Sequence, residues 1–397
     1  MTTLTRQPAL VARQANKQEV QQQGQVDMLS RSRNSCIRAS AIAVISCLVA
    51  FAVSDAPVKA AGKENVTVSI VLALAAGEWS TEILAGANAA AKDLNGKVKV
   101  RVSGPTTFDP QRQAQMFLAE LETKPDVLIV VNVAPPLFTQ PALEAQSRGA
   151  HVVWISVPPM PEVKDPLFIG SDAFGMGRTA GTIIVSALEK SLNKPAADIT
   201  GDVVTGVCVP GLVVLENRLA GEISYLKSKM PKIDVLPSFN SASDRERSYA
   251  LWDQAIRKTP NALTYLDVCE EGEENIPKIL ENDKIKVPLT SYESPEEIRD
   301  DLARGAITAI VSGNFFSQAY LAVYTSAQSI LQGRPLPQGW LKVPHVLIDK
   351  TKIAAYQKAW EKPETGLRAF YGEQVETARD HLPSTLPSPD LFVHPEE

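Results

Sequence analysis

Cysteine and histidine are scarce in this chain: four of each among 397 residues. That excludes a disulfide-rich scaffold, and His151, His345, His381 and His394 show no metal-ligand spacing. No metal and no cofactor is therefore expected. Long basic runs are also missing, and 40 basic against 45 acidic side chains leave a net charge of -5, so no nucleic-acid partner is expected. What is present is a 44% hydrophobic, 21% charged composition, enough chain for about two domains with buried cores.

The first sixty residues read as a delivery segment. Arg31, Arg33 and Arg38 precede Ala39 to Val53, a charge-free apolar stretch of fifteen residues. That is short for a bilayer span and suited to a signal-peptide core. Pro57 then breaks the helix before Val58-Lys59-Ala60, a small-x-small site, which places cleavage after Ala60 and the mature protein in the periplasm. Met1 to Asp27 is Gln-rich, so Met28 is an alternative start. A lipoprotein signal ending at Cys47 and a retained anchor are the rival readings. Cleavage removes seven basic and three acidic residues, leaving 33 against 42, a net charge of -9.

Beyond this segment strands and helices alternate. Val66 to Leu74 is a β-branched apolar run of the kind a parallel strand shows when both faces are covered. A helix over Ser80 to Leu94 carries an apolar stripe. The unit recurs with strands at Val98 to Val102, Asp126 to Asn132 and His151 to Ser156, and helices at Pro110 to Glu122 and Phe138 to Arg148. After Gly170 a second series follows: helices at Gly177 to Ser191, Val214 to Lys229, Arg245 to Lys258, Asn275 to Asn282, Pro295 to Arg304 and Ser317 to Gln332. Its strands are Asp202 to Cys208, Ile233 to Pro237, Ala262 to Val268, Lys286 to Ser291, Thr308 to Val311 and a late one at Val343 to Ile348. The spacing predicts an α/β fold of two doubly wound parallel-sheet lobes. Residues 372–397 are Pro-rich and charged and are expected to be poorly ordered.

In open α/β sheets ligands bind beyond the carboxyl ends of the strands. Two facing lobes would enclose a small solute among the loops near Ala75 to Trp79, Asn132 to Leu137, Ser156 to Pro161, Cys208 to Leu212, Val268 to Glu274, Tyr292 to Ser294 and Ser312 to Phe316.

At these loops the chain resembles type I periplasmic sugar-binding proteins. The resemblance is carried by Val68-Ser69-Ile70-Val71-Leu72 with Gly86 on the following helix, by Asp109-Pro110-x-x-Gln113, and by Asp126-Val127-Leu128-Ile129-Val130-Val131-Asn132. Gly149-Ala150-His151-Val152-Val153, Gly170-Ser171-Asp172 with Gly177-Arg178, Arg218-x-x-Gly221, Ser294-Pro295-Glu296-Glu297 and Gln318-Ala319-Tyr320-Leu321-Ala322-Val323 follow in order, so it covers Val66 to Ile353. It implies a three-crossover hinge, with an N-lobe of 62–172 plus 314–342 and a C-lobe of 173–313 plus 343–371. It further implies a monomer that closes on a small-molecule solute and presents it to the membrane permease of an ABC importer.

Residue by residue, the resemblance implies ligand roles for Trp79, whose flat face suits a sugar ring, and for Asn132, whose amide can donate and accept. The remaining ligand candidates are Glu78, Ser156, Asp172, Glu216, Tyr292 and Asn314. Several depart from the sugar-binding pattern. Ser156-Val157 stands where sugar binders carry Asp-Arg, Glu216 where they have an arginine, and Tyr292 at the usual aspartate. With Glu78, Glu216, Glu270, Glu271 and Glu293 near the expected mouth and no arginine opposite, a cationic, zwitterionic or amine-bearing ligand is the alternative to a pentose or hexose. Cys208 and Cys269 follow neighbouring strands, and either a disulfide or two buried thiols is open.

Competing classes are weaker. Gly175-x-Gly177-x-x-x-Gly181 lacks the acidic partner of a dinucleotide loop, and helix packing explains its glycines; no catalytic motif is present, so an enzyme is not expected. A repressor of this fold would begin with a helix-turn-helix, not an export core. A third reading is a periplasmic sensor partner for trimethylamine-N-oxide respiration, which the chain resembles at Pro161-Glu162-Val163-Lys164 and Tyr292; it would present a methylamine oxide to a membrane histidine kinase. Intact-mass analysis of the exported protein should give a chain beginning at Ala61; an uncleaved or lipid-modified N-terminus would reject the cleavage site.

Overall fold

The computed structural model describes residues 62–380. The expected signal peptide, its cleavage position and residues 381–397 of the tail lie outside the described residues. Strands β1 (Val66–Val71), β2 (Val98–Ser103), β3 (Val127–Val131), β4 (His151–Ile155) and β5 (Leu167–Gly170) alternate with helices α1 (Glu78–Asp93), α2 (Pro110–Glu122) and α3 (Pro135–Ser147). Together with β12 (Gly339–Lys342) they form a six-stranded sheet in the order β12-β5-β4-β3-β1-β2, parallel throughout. Alternate β3 residues explain its unbroken apolar sequence. Val127, Ile129 and Val131 pack toward α1, whereas Leu128 and Val130 join Phe117 of α2 and Phe138 of α3 on the opposite face.

The second lobe begins with α4 (Ala173–Leu192) and continues through β6 (Gly201–Val207), α5 (Val213–Lys229), β7 (Ile233–Val235), β8 (Phe239–Asn240), α6 (Arg245–Lys258), β9 (Thr264–Asp267) and α7 (Glu270–Asn282). It ends with β10 (Thr290–Ser291), α8 (Glu296–Arg304) and β11 (Ala309–Ser312). Strand β6 pairs in parallel with β7, β8 and β9. A separate set is made by β11, parallel to β10 and antiparallel to β13 (Val346–Ile348). Helix α9 (Phe315–Leu331) returns to the first lobe, packed on α1.

Several expected boundaries move. Helix α7 starts at Glu270, five residues before the expected Asn275, with Glu270, Glu271 and Glu273 in its first turn. The late strand expected over Val343 to Ile348 shortens to β13, Val346–Ile348, and is preceded by an unexpected strand, β12, which belongs to the other sheet; Val343-Pro344-His345 lies between them. The tail reading is corrected for its first residues: Gly372–Asp380 is a helix, α12, whose Val375 is fully buried.

The three crossings lie side by side. Ser171 Oγ is 2.7 Å from the Gly313 carbonyl oxygen and 3.0 Å from that of Val343, so one hydroxyl sits against all three connecting segments. A fourth passage was not expected. Helix α10 (Ile353–Trp360) packs on α8, with Gln357 donating to Asp300 at 2.9 Å. The chain then crosses back, and α11 (Pro363–Phe370) packs on α1 of the first lobe, where Asn88 donates to Glu364 at 3.3 Å. Tyr371 stacks on Phe316 with ring centroids 5.7 Å apart. Residues 363–371 therefore lie on the N-lobe's helices, not within the C-lobe as the expected boundary had them.

The expectation that glycines serve helix packing is met between α4 and α5. A Cβ on Gly177 would lie 1.9 Å from the Arg218 carbonyl oxygen, and one on Gly221 would lie 2.1 Å from that of Phe174. Neither backbone can yield without separating the helices. Gly221→Val should therefore lower unfolding free energy by about 1–3 kcal/mol, the usual penalty of overpacking. A urea midpoint unchanged from the parent protein would show that the contact is not needed.

Candidate functional site

The carboxyl ends of β1, β3 and β4 face those of β6 and β9 across a cavity of about 230 Å³. Its first-lobe wall includes Trp79, Phe108, Ser156 and Phe315; its second-lobe wall includes Arg218, Ser243, the Cys208–Cys269 pair, Glu270, Glu271 and Glu293. Trp79 is placed at the start of α1 by the turn after β1, where Ser80 Oγ donates to the carbonyls of Leu74 at 2.6 Å and Ala76 at 2.9 Å. Its ring meets that of Phe315 at 6.0 Å, tilted 57°. A narrower recess beside the cavity is lined by Glu78, Glu82, Glu270, Tyr292 and Glu293.

The expected ligand residues divide into two groups. Trp79 and Ser156 line the cavity, and Glu78 and Tyr292 line the recess. Ser156 takes a left-handed backbone, φ 74°, and its N–H donates to Gln318 Oε1 at 3.2 Å. Glu78 is ion-paired across the lobes with Arg299 of α8. The other four are occupied elsewhere. Asn132 is fully buried and donates to the Val157 and Pro158 carbonyls at 3.2 and 2.9 Å, clasping the loop after β4. Asp172 caps α4 through the Gly175 N–H at 2.8 Å and pairs with Lys342 at 2.8 Å. Glu216 accepts from the Gly211 N–H at 2.9 Å and stays on its own turn. Asn314 caps α9 and donates to Gln374 of α12 at 2.8 Å. Each of these side chains is spent on holding a loop or a helix end.

The expectation of a cleft without arginine is overturned by Arg218. It is 3% exposed, donates to Glu293 at 2.8 Å and lies with its guanidinium carbon 5.1 Å from the Tyr292 ring centroid. The Tyr292 hydroxyl donates to Glu222 at 2.9 Å. Glu273 of α7 accepts from the backbone N–H groups of Tyr292 at 2.9 Å and Glu293 at 3.0 Å, fixing the loop that carries both residues. The sequence offered Arg218 only as part of Arg218-x-x-Gly221; its spacing from Gly221 was legible, its direction was not. Phe108, Phe315 and Gln318 were also outside the expected set.

A second framework holds the start of α7. Asp267 accepts from Trp252 Nε1 at 2.6 Å and from the Val268 and Cys269 N–H groups at 2.8 and 3.1 Å. Gly272 makes room for that carboxyl: a Cβ there would lie 1.8 Å from Asp267 Oδ2. Cys208 and Cys269 form a disulfide between the ends of β6 and β9. The carboxyl of Glu270, the next residue, has no hydrogen-bond or ion-pair partner among the described residues. Burial, then the charges of Glu293, Glu274 and Glu271, push its carboxyl up to about 8.

Burial likewise pushes Glu82, Glu222 and Asp267 up to about 7. A carboxyl raised on folding binds its proton more tightly in the folded state, so its contribution is complete below the ordinary carboxylate range and is lost as pH rises through about 7. His151 and His345, lowered by burial, act oppositely but are fewer. The urea midpoint should fall between pH 5 and pH 8; a rise across that window would mean these carboxyls are ionised in the fold.

Among the described residues no helix is long and apolar enough to cross a membrane. No curated protein sequence matches the chain. Among solved structures, a solute-binding protein of an ABC transporter from Burkholderia graminis in complex with D-arabinose aligns with a TM-score of 0.65 and 19% identity, covering 74% of this chain and 99% of its own. One from Actinobacillus succinogenes with bound D-allose aligns with a TM-score of 0.65 and 16% identity, covering 74% and 100%. A glucose-galactose binding protein from Geobacillus stearothermophilus aligns at 0.63 and 18% identity, covering 73% and 99%. These likenesses show the type I periplasmic binding protein fold. The family model described as "Periplasmic binding protein domain" matches residues 68–335, and the chain belongs to that family of solute-binding proteins, which are not enzymes.

Proposed function

We propose that this protein is the periplasmic substrate-binding component of an ABC-type importer, exported with its leader removed, and that it binds a small polar solute, sugar or sugar-like, by hinge closure. The observation that carries the reading is the cavity between the facing carboxyl edges, walled by Trp79 and Phe315 on one side and by Arg218 and Glu270 on the other. Relatives of this fold are described with D-arabinose or D-allose bound. The N-lobe, 62–172 plus 314–342, would rotate against the C-lobe, 173–313 plus 343–360, about the crossings at Ser171, with α11 and α12 moving with the N-lobe. Ligand contacts fall to Trp79, Ser156, Tyr292 and Glu78; Asn132, Asp172, Glu216 and Asn314 serve the framework.

A second reading, presentation of a methylamine oxide to a membrane histidine kinase, draws support from Ser156, which puts a hydroxyl where a carboxylate would grip a sugar. Crosslinking in cells separates the two partners.

A thermal-shift screen of sugars, polyols and small methylamines should raise the melting temperature with at least one compound. Trp79→Ala should weaken that compound about tenfold, the equivalent of about 1.4 kcal/mol, because the stacking face is lost. Unchanged affinity in the variant would remove the cavity from the proposed role.

A further inference from the structure

Two groups in the cavity wall lack a counterpart in the protein. The first is Glu270. The wall carries three carboxylates, Glu270, Glu271 and Glu293, against one guanidinium, Arg218, and that guanidinium is already paired with Glu293 at 2.8 Å. Glu270 and Glu271 are left without an ion-pair partner among the described residues. The second is Arg218 itself: it is 3% exposed, and its Nε–H finds no acceptor. A buried donor without an acceptor costs about 1–3 kcal/mol, so a solute that supplied one would recover that energy on binding. Opposite these groups stand the faces of Trp79, Phe108 and Phe315, and Phe108 is 42% exposed. Aromatic faces attract a cationic nitrogen more strongly than they attract a neutral hydroxyl.

We infer that the cavity selects a zwitterionic solute over a neutral polyol. Its cationic nitrogen faces Glu270 and the aromatic wall, and its acceptor oxygen faces Arg218. This rests on the solute-binding reading above and narrows it to a chemical class. A neutral sugar brings no positive charge to Glu270 and Glu271, so it gains nothing from ionising them in a partly closed space. A bare cation would leave the Arg218 donor unmet.

Glu270 is faced by Glu271 and Glu274 of its own helix, by Glu293 of the loop before α8, by Arg245 of α6 and, across the recess, by Glu78 and Glu82 of α1. All of these but Arg245 are carboxyls and oppose a further negative charge. A bound cationic nitrogen would favour the ionised carboxylate and expel its proton, so affinity for such a solute should rise between pH 6 and pH 8.

The test is calorimetry on the mature protein with glycine betaine as the zwitterion, choline as a cation without the oxyanion, and D-ribose as the neutral polyol. Glycine betaine should bind most tightly, choline more weakly and D-ribose weakest. Glu270→Gln, which keeps the shape and removes the charge, should weaken glycine betaine at least tenfold while the ligand-free melting temperature is no lower than the parent's. Glu271→Gln should weaken it less. D-ribose binding more tightly than both nitrogen compounds would overturn the inference and leave the solute-binding reading standing. Failure of these three probes and of the wider screen to shift the melting temperature would overturn both. Equal affinity of parent and Glu270→Gln for glycine betaine would overturn the role of Glu270.

Discussion

A guanidinium held out of water governs the second-lobe wall. Removing one partner from a buried ion pair leaves an uncompensated charge at a penalty of about 3–5 kcal/mol, so the residues around Arg218 are tightly constrained. Glu293 supplies the opposite charge, the Tyr292 ring a face, and Glu222 anchors that ring by its hydroxyl. Glu273 then fixes the backbone of Tyr292 and Glu293. Even the approach of α4 depends on this helix, because Gly177 packs against the Arg218 carbonyl. One buried cation thus ties α5 to the loop that forms the recess, and through Glu273 that loop to α7.

Connection between the lobes is denser than three strands crossing at a waist. The Glu78–Arg299 ion pair spans the lobes, and Arg299 also lies 4.8 Å from the Trp360 ring centroid in α10. From there the chain passes to α11 and α12, where Tyr371 joins Phe316 and Tyr356. Relative motion of the lobes must carry this aromatic cluster along or separate its rings.

Much of the fold was legible because its signals are local. The run Val127–Val131 needs only its own composition to announce a strand covered on both faces, and the Asp109-Pro110 helix start announces itself by a cap and a fixed φ. The start of the tail was misread, and α11 before it was missed, because α11 and α12 are short and polar on their outer faces. Their helicity comes from tertiary packing: Leu367 is buried on the side of α1, some 280 residues earlier in sequence, and Tyr371 and Val375 on the side of α9, about fifty residues earlier. The candidate site was half legible for a related reason: residue type does not say whether an amide or carboxylate in such a loop turns outward to a cavity or inward to the backbone. Asn132 turned to the carbonyls of Val157 and Pro158, and Glu216 to the N–H of Gly211.

By itself the sequence determined the alternation of strands and helices, hence parallel sheets whose carboxyl edges must carry the binding loops, and it placed Cys208 and Cys269 at the ends of neighbouring strands. Those properties follow from periodicity and from the handedness of βαβ connections, which act over a few dozen residues. Only the tertiary structure decided that Arg218 faces the cavity, that Glu270 is left without a partner and that Glu78 is given one. Charge pairing depends on distances of a few ångströms between residues far apart in the chain, and those distances exist only once the lobes are packed.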